Sequence, residues 1–442
     1  MWVTADDNSG SAGPQQRPGT GLAALVGDAP GDEQYDRHHP VYDFIIVGAG
    51  ASGLSLAMHL VHALPGHSSI LLIEKDAKQT NDRTWCFWTD RPTPYDHIAF
   101  RMWECVRFIT PGVDRTLPLT PYRYVMLRGL DFYRHAYTWL ARQPNVLLMR
   151  ATVEHVQDSE DRSHGLVRVG GRWLAGKWVF DSRPCSYQQQ CGQGHDNARC
   201  QWHHYLKQHF VGWEVRTPRP VFDPCCATLF DLRAPQKGGF SFFYVLPFSP
   251  QHALVEYTVF SPSELPKNEY EQALRSYLRY TVGTGEAGNS WEVLSEEAGV
   301  IAMTDRPFRR KLSKRVMAIG TPAGMVKPSS GYTFARIQRD SRAIARSLLV
   351  HGHPFDVRSG SPGRFGWYDR LMLEVMQNQP HEVRKVFTAL FLNNPTARVL
   401  RFLDEDTTLP EEVVLLSRLP AKPFLKALLP VPLSLSPGRP VR

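Results

Sequence analysis

Asp43–Leu60 reads DFIIVGAGASGLSLAMHL, and the order of residue types along it decides the fold class. A short apolar run, bounded by polar residues, stops at a glycine, as a buried parallel strand does. Gly48, Gly50 and Gly53 follow in G-x-G-x-x-G spacing. Gly48 suits a tight turn, Gly50 lets the backbone approach a pyrophosphate, and Gly53 lets the next helix lie close on the strand. That helix carries Leu54, Ala57, Val61 and Leu64 along one face. Its unpaired N-terminal N–H groups and positive dipole end favour phosphate. A second strand, SSILLIEK, ends at Glu74, which is placed to accept hydrogen bonds from ribose hydroxyls. Its charge would repel a 2′-phosphate and so disfavours NADP at this site. Strand, glycines, helix, strand and acid in this order predict a dinucleotide cradle for FAD or NAD.

A distant stretch bears on that choice. RVMAIGTPAGMVKPSSGYTFARIQRDSRAIARSLL, from Arg315, reads as a strand ending at Gly320 and a loop holding Gly324, Pro328 and Gly331. A helix then follows with Ile337, Ala343, Ile344 and Leu348. This second strand–turn–helix unit can bring another helix N-terminus to the cofactor. Two-part cradles of this kind are typical of FAD-binding chains whose Rossmann domain is interrupted by a substrate domain, so FAD is expected over NAD. Many such chains have an Asp after the glycine of the second turn; here it is Thr321.

At 442 residues, with 42% hydrophobic and 11% aromatic residues, the chain has ample material for two packed domains. Residues 1–40 are rich in Gly, Ser, Pro and Gln and read as a flexible tail without the basic start and apolar run of a signal peptide. No window holds eighteen consecutive apolar residues, which argues against a spanning helix. The seven cysteines match no zinc or redox spacing and fit a reducing cytoplasm, with Cys225–Cys226 read as two small core residues. The histidine pairs His203–His204 and His351/His353 lack carboxylate or thiol partners at ligand spacing, so no metal is expected. The net charge of +8 and pI near 9.1 come from dispersed basic residues. No nucleic-acid-binding motif accompanies them, so an anionic membrane face or plain solubility is the better reading.

Further stretches carry a specific pattern: NDRTWCFW (Asn81–Trp88), YRYVMLRGLDFY (Tyr122–Tyr133), VFDSRP (Val179–Pro184) and QHFVGWEV (Gln208–Val215). FFYVLPFSPQHALVEYT (Phe242–Thr258), EEAGVIAMT (Glu296–Thr304) and PSSGYTFA (Pro328–Ala335) continue it in order. Together with the cradle they resemble the FAD-containing lycopene cyclases of bacteria and plants, from about residue 42 to 430. In plant-type relatives two adjacent acids precede the Thr of the fifth segment. Here Glu256 keeps the first place and Tyr257 takes the second. A proline usual in the sixth segment is Ala302.

The resemblance implies an α/β fold: a Rossmann-like FAD-binding domain (41–185 with 305–348) interrupted by a β-rich substrate domain (186–304), then a helical region (349–442) that is a candidate for membrane contact. It implies cofactor contacts at Gly48, Gly50, Gly53, Glu74, Arg128, Gly320 and Gly331. It also implies a flavin that must be reduced, with NAD(P)H as the electron source, although the reaction is an isomerisation of a linear carotenoid such as lycopene. Protonating an alkene needs a carboxylic acid that stays neutral near pH 7, so burial must raise its pKa. The cation then needs aromatic faces or an electron-rich ring beside it, and water must be excluded.

Glu256 is the residue that fits the acid. Strand alternation sets it on one face with His252, Leu254 and Thr258 inside the run HALVEYTVF. An acid in such a run more often faces solvent; the motif reverses that ordering. Glu297 is the weaker second candidate. Trp85 and Phe87 divide evenly between core packing and cavity lining, Trp213 reads as sheet core, and Phe242 and Tyr244 share a face that could flank a polyene. Near the C-terminus Val383, Val386 and Leu390 form a helical stripe, either a cap on the catalytic domain or a surface resting on a membrane. DEDTT (Asp404–Thr408) reads as a solvated, helix-capping loop. The resulting expectation is a cytoplasmic enzyme lying on the inner membrane face, of undetermined oligomeric state. The alternatives are an FAD-dependent reductase or hydroxylase of a lipophilic substrate, and a non-catalytic flavin or lipid carrier.

Overall fold

The computed structural model describes residues 3–4, 41–64, 66, 68–184, 203–236, 238–282, 291–357, 361 and 363–428. The flexible tail expected over 1–40 therefore lies outside the described residues apart from Val3–Thr4.

Apolar residues on both faces place the strand of the glycine motif at the centre of an eight-stranded sheet. This sheet comprises β1 (Val3–Thr4), β2 (Val41–Val47), β3 (Ile70–Glu74), β9 (Val146–Arg150), β10 (Val153–Asp158), β11 (Gly165–Val169), β12 (Arg172–Asp181) and β18 (Val316–Ala318). Its order is β1-β9-β3-β2-β12-β11-β10, with β18 also beside β12. The pairs from β1 to β12, and β12 with β18, are parallel, whereas β12-β11-β10 is an antiparallel meander. The strand after the long interruption thus returns to the first sheet, as the two-part cradle requires.

α1 (Ala51–Ala63), α2 (Gly129–Leu140) and a later helix over Phe334–His351 pack on this sheet. α1 was expected to bury one face, yet Gly53 through Met58 are all buried, because the other two helices flank it.

The second sheet has seven strands: β6 (Cys105–Thr110), β7 (Val113–Pro118), β13 (Tyr205–Arg216), β14 (Cys226–Asp231), β15 (Phe240–Ser249), β16 (His252–Ser261) and β17 (Glu292–Thr304). The order is β17-β13-β16-β15-β14-β6-β7, antiparallel except for β14 with β6. Residues 105–118 thus hydrogen-bond into this second sheet although they fall within the 41–185 span read as cofactor domain. Sequence order misplaces them, since β6 reaches its partner β14 only through the fold. A third sheet, β4 (Thr84–Thr89), β8 (Arg123–Arg128) and β5 (Arg101–Trp103) in the order β4-β8-β5, is packed into both halves of the core.

The central strands β14, β15 and β16 are buried on both faces, whereas the edge strands β7 and β17 are largely exposed. On β16, Val255, Tyr257 and Val259 join a core with α3 (Lys267–Val282), through Tyr270, Ala273, Leu274 and Leu278. Leu254 and Phe260 belong to the opposite face, with Phe240, Phe242, Leu246 and Phe248 of β15. The helix over Phe334–His351 is α4; α5 (Gly363–Asn378), α6 (Pro380–Leu392), α7 (Thr396–Leu403), α8 (Leu409–Leu416) and α9 (Ala421–Leu428) follow and cover that second face. On α6 the stripe Val383, Val386 and Leu390 is buried there, so it packs as a cap. No described helix is long and apolar enough to cross a membrane.

Candidate active site

The glycine turn has the shape its spacing predicts. Gly48 adopts φ +94°, and a Cβ there would stand 2.2 Å from Ser182 Oγ. A Cβ on Gly53 would fall 1.9 Å from the Gly48 carbonyl oxygen, so α1 sits directly on the turn. Gly50 differs: a Cβ there meets nothing within 4 Å, and open space lies where a pyrophosphate would approach. Glu74, at the end of β3, accepts the Ala49 N–H at 2.6 Å and the Asp76 N–H at 2.9 Å. Each carboxylate oxygen keeps a lone pair for a further donor.

The second turn closes on the first. Gly320 (φ +71°) would put a Cβ 2.5 Å from Ser52 Oγ in the first turn of α1. The donor set and the open space at Gly50 fit a dinucleotide. Gly331 (φ +75°) works elsewhere: its missing Cβ leaves room for Gln208 Oε1, 2.1 Å from where it would lie, so it seats the second turn against β13. Arg128 caps α2, donates to Glu214 at 3.2 Å and lies 3.6 Å from the Phe100 ring centre. That places it at the junction of the third sheet with β13.

Next to this cradle lies a cavity of about 690 Å³. Thr321, Lys327, Ser330 and Gly331 of the second turn line it on one side, and helices α5 to α9 contribute residues such as Trp367, Phe391 and Leu425. The walls include Trp85, Phe230, Phe242 and Tyr244. Phe242 and Tyr244 therefore both face the cavity, as their shared strand face predicts. Trp85 lines it while also packing on Phe132 and Phe334, whereas Phe87 belongs to the core of the first sheet. Trp213 is sheet core, its indole donating to Glu296 at 3.0 Å.

Of the carboxylates that line this cavity, Glu256 and Glu297 meet on the sheet wall. In the β16–β13–β17 register, Glu256 pairs with Gly212, and Gly212 pairs with Glu297 on its other side. A Cβ on Gly212 would lie 2.6 Å from Glu256 Cγ and 3.2 Å from Glu297 Cγ, so both side chains lean over the glycine. Glu256 is only 7% exposed. Burial pushes its pKa well above the usual carboxylate range, the Glu297 charge adds to the rise, and no donor among the described residues offsets it. Burial also raises Glu297, but Thr84 Oγ1 donates to it at 2.8 Å, and Arg128 and Arg83 favour its ionised form. Beside Glu256 the hydroxyls of Tyr124 and Tyr244 lie 2.7 Å apart, and burial lifts the Cys86 thiol to about 12, so these groups stay neutral.

A buried ionic cluster ties the second turn to the helical layer. Lys327 Nζ donates to both Asp369 oxygens at 2.9 and 2.8 Å and to Glu405 at 3.0 Å, and Arg336 donates to Glu405 at 2.6 Å. DEDTT is therefore not simply a solvated loop. Glu405 and Thr407 are inside, burial raises Asp404 to about 6, and only the capping role of Thr408, reciprocal with Glu411, is as expected. The histidines also find carboxylates from far in the chain: His204 sits between Asp305 (3.1 Å) and Glu374 (2.6 Å). Of the cysteine pair, Cys226 is buried but Cys225 is exposed, and both are free.

The sequence profile of the family described as "Lycopene cyclase protein" matches residues 43–429. The chain belongs to the lycopene cyclase family. A lycopene beta-cyclase of Pantoea ananas is 25% identical over 417 residues, covering 88% of this chain and 97% of that protein. One from Pseudescherichia vulneris is 24% identical over 325 residues, covering 71% and 75%. Among solved structures, the flavin-dependent brominase Bmp2 (TM-score 0.54, 14% identity) covers 88% of this chain and 98% of its own. A geranylgeranyl bacteriochlorophyll reductase-like protein from Thermoplasma acidophilum (0.52, 13%) covers 88% and 96%. These structures share the fold with this member of the cyclase family, and the Rossmann-like flavoprotein architecture expected from the glycine motif is present.

Sequence reasoning brought Glu256 and the glycines forward but missed Gly212, Thr84, Cys86 and the Lys327 cluster. Their signals lie in strand register and in contacts between distant segments. Thr84 and Cys86, within NDRTWCFW, and Gly212, within QHFVGWEV, stood in marked segments, but nothing local gave them a role.

Proposed function

We propose that the protein is a lycopene cyclase that converts the ends of a linear carotenoid to β-ionone-type rings without net redox, with Glu256 as the proton donor. The observation that carries this reading is a buried carboxyl, its pKa pushed up by burial, on the wall of an aromatic cavity next to the cofactor cradle. A hydrocarbon offers no heteroatom to activate, so the site must supply a proton, shield the cation and keep water out.

In this reading the Glu256 carboxyl adds its proton to the terminal double bond. The internal double bond closes the six-membered ring, and loss of a ring proton ends the isomerisation. Phe242, Tyr244 and Trp85 offer ring faces to the positive charge. Tyr124, Tyr244 and Cys86, all held in their neutral forms, lower the risk of trapping it. The cradle of Gly48, Gly50, Gly53, Glu74 and Gly320 would hold FAD, which in its reduced state, drawn from NAD(P)H, supplies an electron-rich ring beside the cavity. Because the substrate dissolves only in lipid, we place the protein peripherally on an anionic membrane face.

The test is an anaerobic incubation of the protein with lycopene in liposomes, FAD and a reductant. A product of unchanged mass absorbing at shorter wavelength is expected. A product that gains hydrogen or oxygen would transfer the chain to the reductase or hydroxylase reading.

A further inference from the structure

Two buried carboxylates that meet across one intervening strand are costly unless they share a purpose or a proton. Here the strand between them has no side chain at the meeting point: Gly212 is in register with both Glu256 and Glu297. Any larger residue would wedge into their side chains. The environments differ in a consistent sense. Glu297 has the Thr84 hydroxyl as donor, with Arg83 and Arg128 nearby, and Glu214 opposing them. Glu256 faces the neutral Cys86, Tyr244 and Tyr332 and, among the described residues, receives no hydrogen bond that would stabilise its charge.

We infer that Glu297 is the positioning partner of Glu256: leaning against it over Gly212, it carries the negative charge of the pair, so that the last shared proton rests on Glu256. Two such carboxyls titrate as a unit, and the group with the better donors ionises first. The bearing on ring closure rests on the function proposed above, but the arrangement of the pair does not. When the proton passes from the Glu256 carboxyl to an alkene carbon, the pair becomes doubly negative opposite the new cation. That stabilises the cation and makes the pair a strong base. The ring C–H bond then breaks, its electrons form the ring double bond, and its proton returns to the pair.

The test needs no turnover. Infrared titration of the full-length protein follows the C=O stretch of a protonated buried carboxyl, assigned by its loss in Glu256→Gln. In the wild type the band should persist at neutral pH. Glu297→Gln removes the neighbouring charge and should lower the midpoint by about one pH unit or more. Thr84→Val removes the donor that lets Glu297 ionise first, so part of the last proton should move to Glu297 and the Glu256 C=O band at neutral pH should weaken as a second protonated-carboxyl band grows; it decides alone if Glu297→Gln does not fold. A midpoint unmoved by Glu297→Gln, a Glu256 band unchanged by Thr84→Val, or no such band at neutral pH in the wild type overturns the pairing. A band that behaves as stated in a protein that forms no rings overturns the proposed function and leaves the pairing intact.

Discussion

Glu256 shows how a single residue ties stability to chemistry. Its pKa in the folded protein is above the value of about 4.3 for an unfolded glutamate. As pH rises through that lower value, the unfolded chain releases its proton while the folded chain keeps it. Stability therefore falls with rising pH until the folded pKa is reached, by about 1.4 kcal/mol per unit of separation. Glu256→Gln removes that cost along with the proton. We expect it to retain bound FAD, to lose ring formation by about 100-fold or more, and to flatten the decline of the denaturation midpoint between weakly acidic and neutral pH. The part of the decline that survives belongs to Glu297, whose pKa is shifted the same way. A variant that cyclises normally would remove Glu256 from the acid's role. A slope equal to the wild type's would show that the carboxyl is not held neutral.

Among the elements, the turn between β2 and α1 was the most legible, because each of its glycines answers a local steric need. The structure separates those needs. Gly53→Ala meets the Gly48 carbonyl at 1.9 Å and should impair folding, whereas Gly50→Val projects into open space. Gly50→Val should leave circular dichroism and the denaturation midpoint near wild type while the purified protein loses its flavin absorbance. Retention of FAD would place the pyrophosphate elsewhere. β16 was legible too, since period-two alternation put Leu254, Glu256 and Thr258 on one face before any partner was known. Gly212 and the Lys327 cluster were not. The former matters only through a register joining residues 212, 256 and 297, and the latter joins residues 327, 336, 369 and 405. Asp404–Thr408 misled for the same reason: acidic residues in a short turn look solvated until a lysine and an arginine from another segment are folded over them. Lys327→Met would leave Asp369 and Glu405 short of a buried cation. It should cost about 3–5 kcal/mol in chemical denaturation, with faster hydrogen exchange beginning in α5 and the α7–α8 loop. Unchanged exchange there would mean that the cluster does not tie the helical layer to the second turn.

At the scale of the whole molecule, the arrangement of layers decides how a water-insoluble substrate could reach Glu256. The acid lies on the sheet face of the cavity, and the helical layer forms the opposite wall. On that wall Leu425, 61% exposed, also lines the cavity, as do the exposed residues Trp367 and Leu428. An apolar surface is thus continuous from solvent to the interior. Lys422 and Lys426 are exposed on the same short helix. Apolar side chains flanked by lysines suit the interface of an anionic bilayer, where each lysine contributes about 1 kcal/mol. Replacing both with alanine should therefore weaken sedimentation with phosphatidylserine-containing vesicles about 30-fold, and raising the salt concentration should weaken the wild type in the same sense. Ring formation from lycopene in neutral detergent micelles should persist in the double variant, because neither lysine lines the cavity. Equal binding of wild type and variant to anionic vesicles would place the membrane contact on another face. The α9 edge would then be only the outer wall of the cavity, and the substrate would have to arrive by a different opening.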